Sequence, residues 1–146
     1  MKITSTAFQN NSNIPNTYTC DGTDNIPPLT FSEVPPQAKS LALIVDDPDA
    51  PIRAFTHWLI YNIPPTTTQI QENEIPSGSL QGKNDFGTTK YGGPCPHNGT
   101  HRYFFKLYAL DVLLNLPEGA SKNELEDSIE GHILESSQLI GLYKRF

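Results

Sequence analysis

Proline pairs at Pro27-Pro28, Pro35-Pro36 and Pro64-Pro65, followed by Gly92-Gly93, cut most of this chain into short runs. Proline cannot donate to a helix or a sheet ladder, and glycine costs entropy inside either, so these pairs mark turns. The pieces between them read as strands over Ile3–Phe8, Leu29–Phe31, Ser40–Asp46, Phe55–Ile63 and Tyr103–Leu110. Ser40–Val45 is almost continuously apolar, which predicts a central strand covered on both faces. In Phe55–Ile63, simple alternation puts Phe55, His57, Leu59 and Tyr61 on one face and Trp58 and Ile60 on the other.

A helix signal comes late. Ser121-Lys122-Asn123-Glu124 has the form of a capping box, and Leu125, Ile129 and Ile133 follow at fourfold spacing, predicting a helix over about 121–130. Beyond Gly131, Gln138–Arg145 reads as a last strand, with a short helix over Ile133–Ile140 as the alternative. Segment 66–92 is rich in turn formers and forms a long connection of the kind that is functional or mobile.

The length of 146 residues fits one domain spanning 1–146. A net charge of −6 argues against nucleic-acid partners, which need cations to neutralise phosphates. Met1–Ser5 leads into polar sequence and no run approaches a membrane span, so the expectation is a soluble cytoplasmic protein without a transmembrane segment; an exported mature form is the alternative. Cys20 and Cys95 match no zinc-ribbon spacing and read either as two separate thiols, the state a cytoplasm maintains, or as one disulfide.

Chemistry gathers at strand ends. Asp46-Asp47-Pro48-Asp49-Ala50-Pro51 leaves the buried strand with its carboxylates held by two prolines, His57 sits near the start of the next strand, and Gly92–Gly99 runs into His101-Arg102-Tyr103. Alternation there sends His101 and Tyr103 one way and Arg102 the other. Asp47, His57 and His101 thus share one sheet end, and His97 reads as an exposed loop residue. Asp47, Asp49, His57 and His101 could alternatively serve as metal ligands, for a metal-binding protein or hydrolase. A cysteine phosphatase is disfavoured because six residues separate Cys95 from Arg102 and prolines remove loop donors, and no Gly-x-Ser-x-Gly elbow is present.

The motifs Asp47–Pro51, His57-Trp58 with Asn62-Ile63, Gly93–Pro96 and His101–Tyr103 stand in register with Tyr18–Gly22, Asn25–Leu29, Asn84–Gly87 and Glu130–His132. In order and spacing they resemble the phosphatidylethanolamine-binding, or Raf kinase inhibitor-like, protein family, in its small bacterial and archaeal branch. The resemblance implies a mainly β fold, a large central sheet sandwiched with a smaller one and a few peripheral helices. It implies a cavity for phosphate, carboxylate or phosphorylated head groups, lined by Asp47, His57, Gly93, Pro94, His101 and Tyr103, with Ala50 and Pro51 at the rim and Phe55 as an aromatic wall. The two imidazoles, the Tyr103 hydroxyl and the Gly93 N–H are the expected donors. It further implies a non-enzymatic binding protein without a cofactor, acting on a kinase or protease partner, or a scaffold with a vestigial pocket. Segment 66–92 and the His97 loop are the candidate partner surfaces, and a homodimer is compatible. The end of the chain at Phe146, short of the extension found in mammalian relatives, argues against transferring Raf inhibition.

Overall fold

The structure, a computed structural model, describes residues 1–145; the chain end at Phe146 lies outside the described residues. Strands β1 (Lys2–Thr4), β3 (Leu29–Ser32) and β6 (Gln69–Ile70) form a small sheet in the order β1-β3-β6. The large sheet has the order β2-β9-β8-β4-β5-β7, built from β2 (Ser12–Asn13), β4 (Ser40–Asp47), β5 (Phe55–Ile63), β7 (Leu80–Gln81), β8 (His101–Leu110) and β9 (Ile133–Tyr143). Among the described residues only β2 pairs in parallel, against β9. The fold is therefore the expected mainly β sandwich, and α1 (Lys122–Ile129) is its one α-helix among the described residues. None of the described helices is long and apolar enough to cross a membrane.

The position of β4 explains its composition: every one of its residues is buried, because both faces of the large sheet are covered. On one face Leu41, Leu43, Val45, Trp58, Phe105 and Leu107 pack against Ile3, Leu29, Phe31 and Ile70 of the small sheet. On the other, Ala42, Ile44, Leu59 and Tyr61 pack under Leu125 and Ile129 of α1. Alternation also separates two neighbouring carboxylates. Asp46 turns to the α1 side and meets Lys106 at 3.0 Å and Lys122 at 2.8 Å, whereas Asp47 turns to the other side.

The helix begins as its sequence dictates. The Ser121 hydroxyl accepts from the Glu124 N–H at 3.1 Å, and the Glu124 carboxylate accepts from the Ser121 N–H at 2.9 Å. Gly131, at φ 82°, then reverses the chain where a side chain would be strained. We expect Ser121→Ala to cost about 1 kcal/mol of stability, read as a lower midpoint in urea at unchanged slope.

Three local expectations change. Ile3–Phe8 shortens to β1, because Phe8 leaves the sheet and packs on Phe105 with ring centroids 5.7 Å apart. The last strand starts earlier, at Ile133, and replaces the alternative short helix. Segment 66–92 is largely tied down: it carries β6 and β7, and Asn84, buried, accepts from the Phe86 and Thr88 N–H groups at 3.0 Å and donates to the Lys90 carbonyl at 2.8 Å.

The cysteines are joined. Cys20 and Cys95 form a disulfide with Cα atoms 5.5 Å apart, so the reading as separate thiols is corrected. It lies beside other ties between the same two loops: the Cys20 N–H donates to the Pro94 carbonyl at 3.1 Å and the Tyr91 hydroxyl to the Tyr18 carbonyl at 2.7 Å.

Candidate functional site

A cavity of about 120 Å³ opens where β4, β5 and β8 end, lined by Asp47, Ala50, Pro51, Phe55, His57, Phe86, Cys95, Pro96, His97, His101 and Tyr103. How His57 reaches it could not be read from alternation. Val45 pairs with Trp58, but Asp46 pairs with Thr56, so His57 is an extra residue in β5. Such a bulge turns the side chains around it. It brings His57, with Phe55, onto the side of Trp58, where its ring stands 5.2 Å from Tyr103, while Leu59 and Tyr61 face α1. The expected common face for Phe55, His57, Leu59 and Tyr61 is corrected accordingly.

Each polar group at the cavity floor has one side fixed. His57 Nδ1 lies 2.7 Å from the Gly92 carbonyl, which can only accept, so Nδ1 carries the proton and Nε2 is the polar atom left over. Burial, the strongest influence on this ring, holds its pKa below the ordinary value of 6.5 against the opposing pull of the Gly92 carbonyl and Asp47. His101 Nδ1 donates to Asp47 Oδ2 at 2.6 Å, leaving its Nε2 as well. The other Asp47 oxygen accepts from the Asp49 N–H at 2.8 Å. The Tyr103 hydroxyl is buried and has no hydrogen-bond partner among the described residues. Burial first, and then the charge of Asp47, pushes its pKa far up, so the group stays a protonated donor.

The 47–51 loop is held from behind. Arg102, pointing away from the cavity as alternation predicts, forks onto Asp49 with Nε–Oδ2 at 2.9 Å and Nη2–Oδ1 at 2.8 Å. The guanidinium draws the Asp49 pKa below its usual value. Asp49 is thereby committed outside the cavity and does not join Asp47, His57 and His101. Among the described residues no group of three His, Cys, Asp or Glu side chains is placed to hold a metal ion.

Gly93 and Pro94 stand behind the wall and do not line the cavity. The Gly93 N–H donates to Asp24 Oδ1 at 2.9 Å and is not free for a ligand. A Cβ at Gly93 would come within 2.2 Å of the Tyr18 carbonyl oxygen and 2.3 Å of Asp24 Oδ1, so the glycine permits a close approach of two backbones.

Phe86, Cys95 and Pro96 are the lining residues that sequence reasoning missed. The signal for Phe86 was present in Asn84-Asp85-Phe86-Gly87, where the Asn84 amide shapes the loop that delivers the ring. Phe86 stacks edge-on to Phe55 at 4.8 Å and to His57 at 5.4 Å. His97 is exposed, as expected of a loop residue, and borders the opening. Of the lining residues Phe86 is 48% exposed and gives the polar floor an apolar rim, and Ile52, next in the chain to the lining Pro51, is 96% exposed.

The comparisons with known proteins agree with one another. The family model for phosphatidylethanolamine-binding protein matches residues 4–144. A UPF0098 protein of Methanothermobacter thermautotrophicus is 53% identical over 150 aligned positions, covering 99% of each chain. Another from Aquifex aeolicus is 50% identical, covering 99% of this chain and 89% of its own. Among solved structures, a phosphatidylethanolamine-binding protein homolog from Chlamydia trachomatis superposes with a TM-score of 0.94 at 42% identity, over 99% of this chain and 97% of its own. Escherichia coli YbcL, described as a new member of the mammalian PEBP family, gives 0.93 at 28% identity over 99% and 98%. With the family model spanning nearly the whole sequence and these relatives matching it end to end, the chain belongs to the phosphatidylethanolamine-binding protein family.

Proposed function

We propose that this protein is a non-enzymatic binding protein whose cavity takes a small phosphoryl or carboxylate group in protonated or singly charged form, and that the filled cavity modulates a kinase or protease partner through its apolar rim. One observation carries the reading: three polar groups, His57 Nε2, His101 Nε2 and the Tyr103 hydroxyl, border one small cavity with hydrogen-bonding capacity unspent. No Lys or Arg lines that cavity and Asp47 does, so a dianion is disfavoured. A ligand that keeps one proton can donate it to His57 Nε2 while accepting from the Tyr103 hydroxyl, and His101 Nε2 accepts from the ligand in the neutral ring and donates to it in the doubly protonated ring. Cys95, the only thiol candidate for a nucleophile there, has its sulfur in the disulfide.

The pH dependence has a definite sign. His57 titrates below its ordinary value of 6.5, so above that range it is neutral and an anion is bound with uptake of one proton or in its own protonated form. Affinity for phosphoethanolamine is expected to fall as pH rises from about 5.5 to 8, with a slope approaching tenfold per unit. Isothermal titration across that range checks it. The His57→Gln protein should show weaker binding and a flatter profile, and an affinity indifferent to pH in the unmodified protein rejects the reading.

A further inference from the structure

The Cys20–Cys95 disulfide has one half in the cavity and the other on the surface. Cys95 is half-buried and lines the cavity, whereas Cys20 is exposed. A disulfide sealed in a core is shielded from exchange, but one exposed at one end can be reached by a dissolved thiol. Exchange needs an accessible sulfur to attack and a second sulfur that can leave with a negative charge.

The surroundings assign those two parts differently. Arg145 Nη1 lies 3.6 Å from Cys95 Sγ, so a guanidinium is in place to stabilise a thiolate there. Arg145 is itself held, because its Nε donates to Asp21 Oδ1 at 3.1 Å and the Tyr143 hydroxyl donates to the other Asp21 oxygen. Cys20 directly precedes Asp21, a carboxylate that disfavours a second negative charge beside it. Cys20 is thus the sulfur to attack and Cys95 the sulfur to leave.

We propose that the disulfide is an exchange site for a low-molecular-weight thiol, which captures Cys20 and releases Cys95 as a thiolate that lowers the affinity of the cavity for anions. The incoming thiol gives its proton to solvent and its thiolate attacks Cys20 Sγ. A mixed disulfide forms at Cys20, the Sγ–Sγ bond breaks, and the electron pair departs on Cys95 Sγ beside Arg145. The incoming sulfur is oxidised to the disulfide level and Cys95 is reduced. The two loops remain joined by the bonds from the Cys20 N–H to the Pro94 carbonyl and from the Tyr91 hydroxyl to the Tyr18 carbonyl, so the wall changes charge more than shape. Asp47 already faces the cavity, and no Lys or Arg lines it. A thiolate in the same wall adds a second negative charge against an arriving anion.

Peptide mass mapping tests the exchange. The oxidised chain is exposed to millimolar free cysteine and quenched with iodoacetamide after partial reaction. The expected product carries the cysteine adduct on Cys20 and the alkyl group on Cys95. Arg145→Gln should slow the reaction about three- to tenfold and even out the two positions. No adduct, an adduct preferring Cys95, or a pattern unchanged in Arg145→Gln overturns the assignment. The gate rests on the reading of the cavity as an anion site, and titration with phosphoethanolamine tests it separately. Reduction with dithiothreitol should weaken binding about tenfold, as should Cys20→Ser without reductant, because both leave a thiolate at Cys95. Cys95→Ser loses the same cross-link without gaining the charge, so it should bind more tightly than Cys20→Ser. Equal affinities of those two variants, or of the oxidised and reduced chain, overturn the gate. An oxidised chain that fails to bind at all overturns the anion reading and the gate together, while the peptide map still decides the exchange.

Discussion

Reduction of the Cys20–Cys95 disulfide lowers the melting temperature by roughly 5–15 °C, the shift that about 2–5 kcal/mol produces in a domain of this size. The size of the effect follows from the chain between the two cysteines, a sequence separation of 75, because cross-linking a long loop removes many conformations from the unfolded ensemble. The fold itself should survive. The Pro94 carbonyl, Asp24 Oδ1 and the Tyr18 carbonyl still hold the cavity loop through Cys20, Gly93 and Tyr91. Calorimetry with and without reductant measures the shift, and a Cys95→Ser chain should match the reduced protein. An unchanged melting temperature would show that the thiols are unpaired in solution. A bond of this kind persists in oxidising compartments and within hyperthermophile cells, so thiol counts on protein taken from its own cells also test the expectation of a reducing cytoplasm.

Tyr103→Phe should separate stability from binding. The Tyr103 hydroxyl is buried and unpartnered, a state that costs about 1–3 kcal/mol relative to a satisfied one, so its removal leaves the protein as stable or more stable by up to that amount. The same change deletes a donor at the cavity floor and should weaken phosphoethanolamine binding about tenfold. Loss of stability together with unchanged affinity would mean that the hydroxyl serves the core. Gain of one with loss of the other is the pattern of a site maintained at the expense of the fold.

Much of this arrangement was legible because it depends on local rules. The continuous apolar run of β4, the Ser121 capping box and the opposite orientation of His101 and Arg102 each follow from a few neighbouring residues, and each recurs in the structure. What escaped depends on distant partners. The bulge at His57 is defined only when β5 is laid against β4, so alternation within β5 misplaced Leu59 and Tyr61. Gly93 was expected to donate to a ligand because Asp24, which takes its N–H, lies 69 residues away. The Cys20–Cys95 bond was one of two readings the sequence left open, and the choice between them needed the two loops side by side. Family motifs located the cavity, while the tautomer of His57 came from a single backbone carbonyl at Gly92.

The bulge in β5 has an optical consequence. By adding one residue it sets His57 and Trp58 on the same side of the sheet, and Trp58 is the only tryptophan in the chain. Its indole is fully buried and fixed by a 2.7 Å hydrogen bond to Gln81 Oε1, so its emission comes from one rigid environment at the residue next to His57 in the strand. An imidazolium quenches a neighbouring indole more than a neutral imidazole does. Protonation of His57, whether by acid or by an arriving ligand, therefore registers as a dimming of intrinsic fluorescence, and the molecule carries an unlabelled reporter of its own cavity.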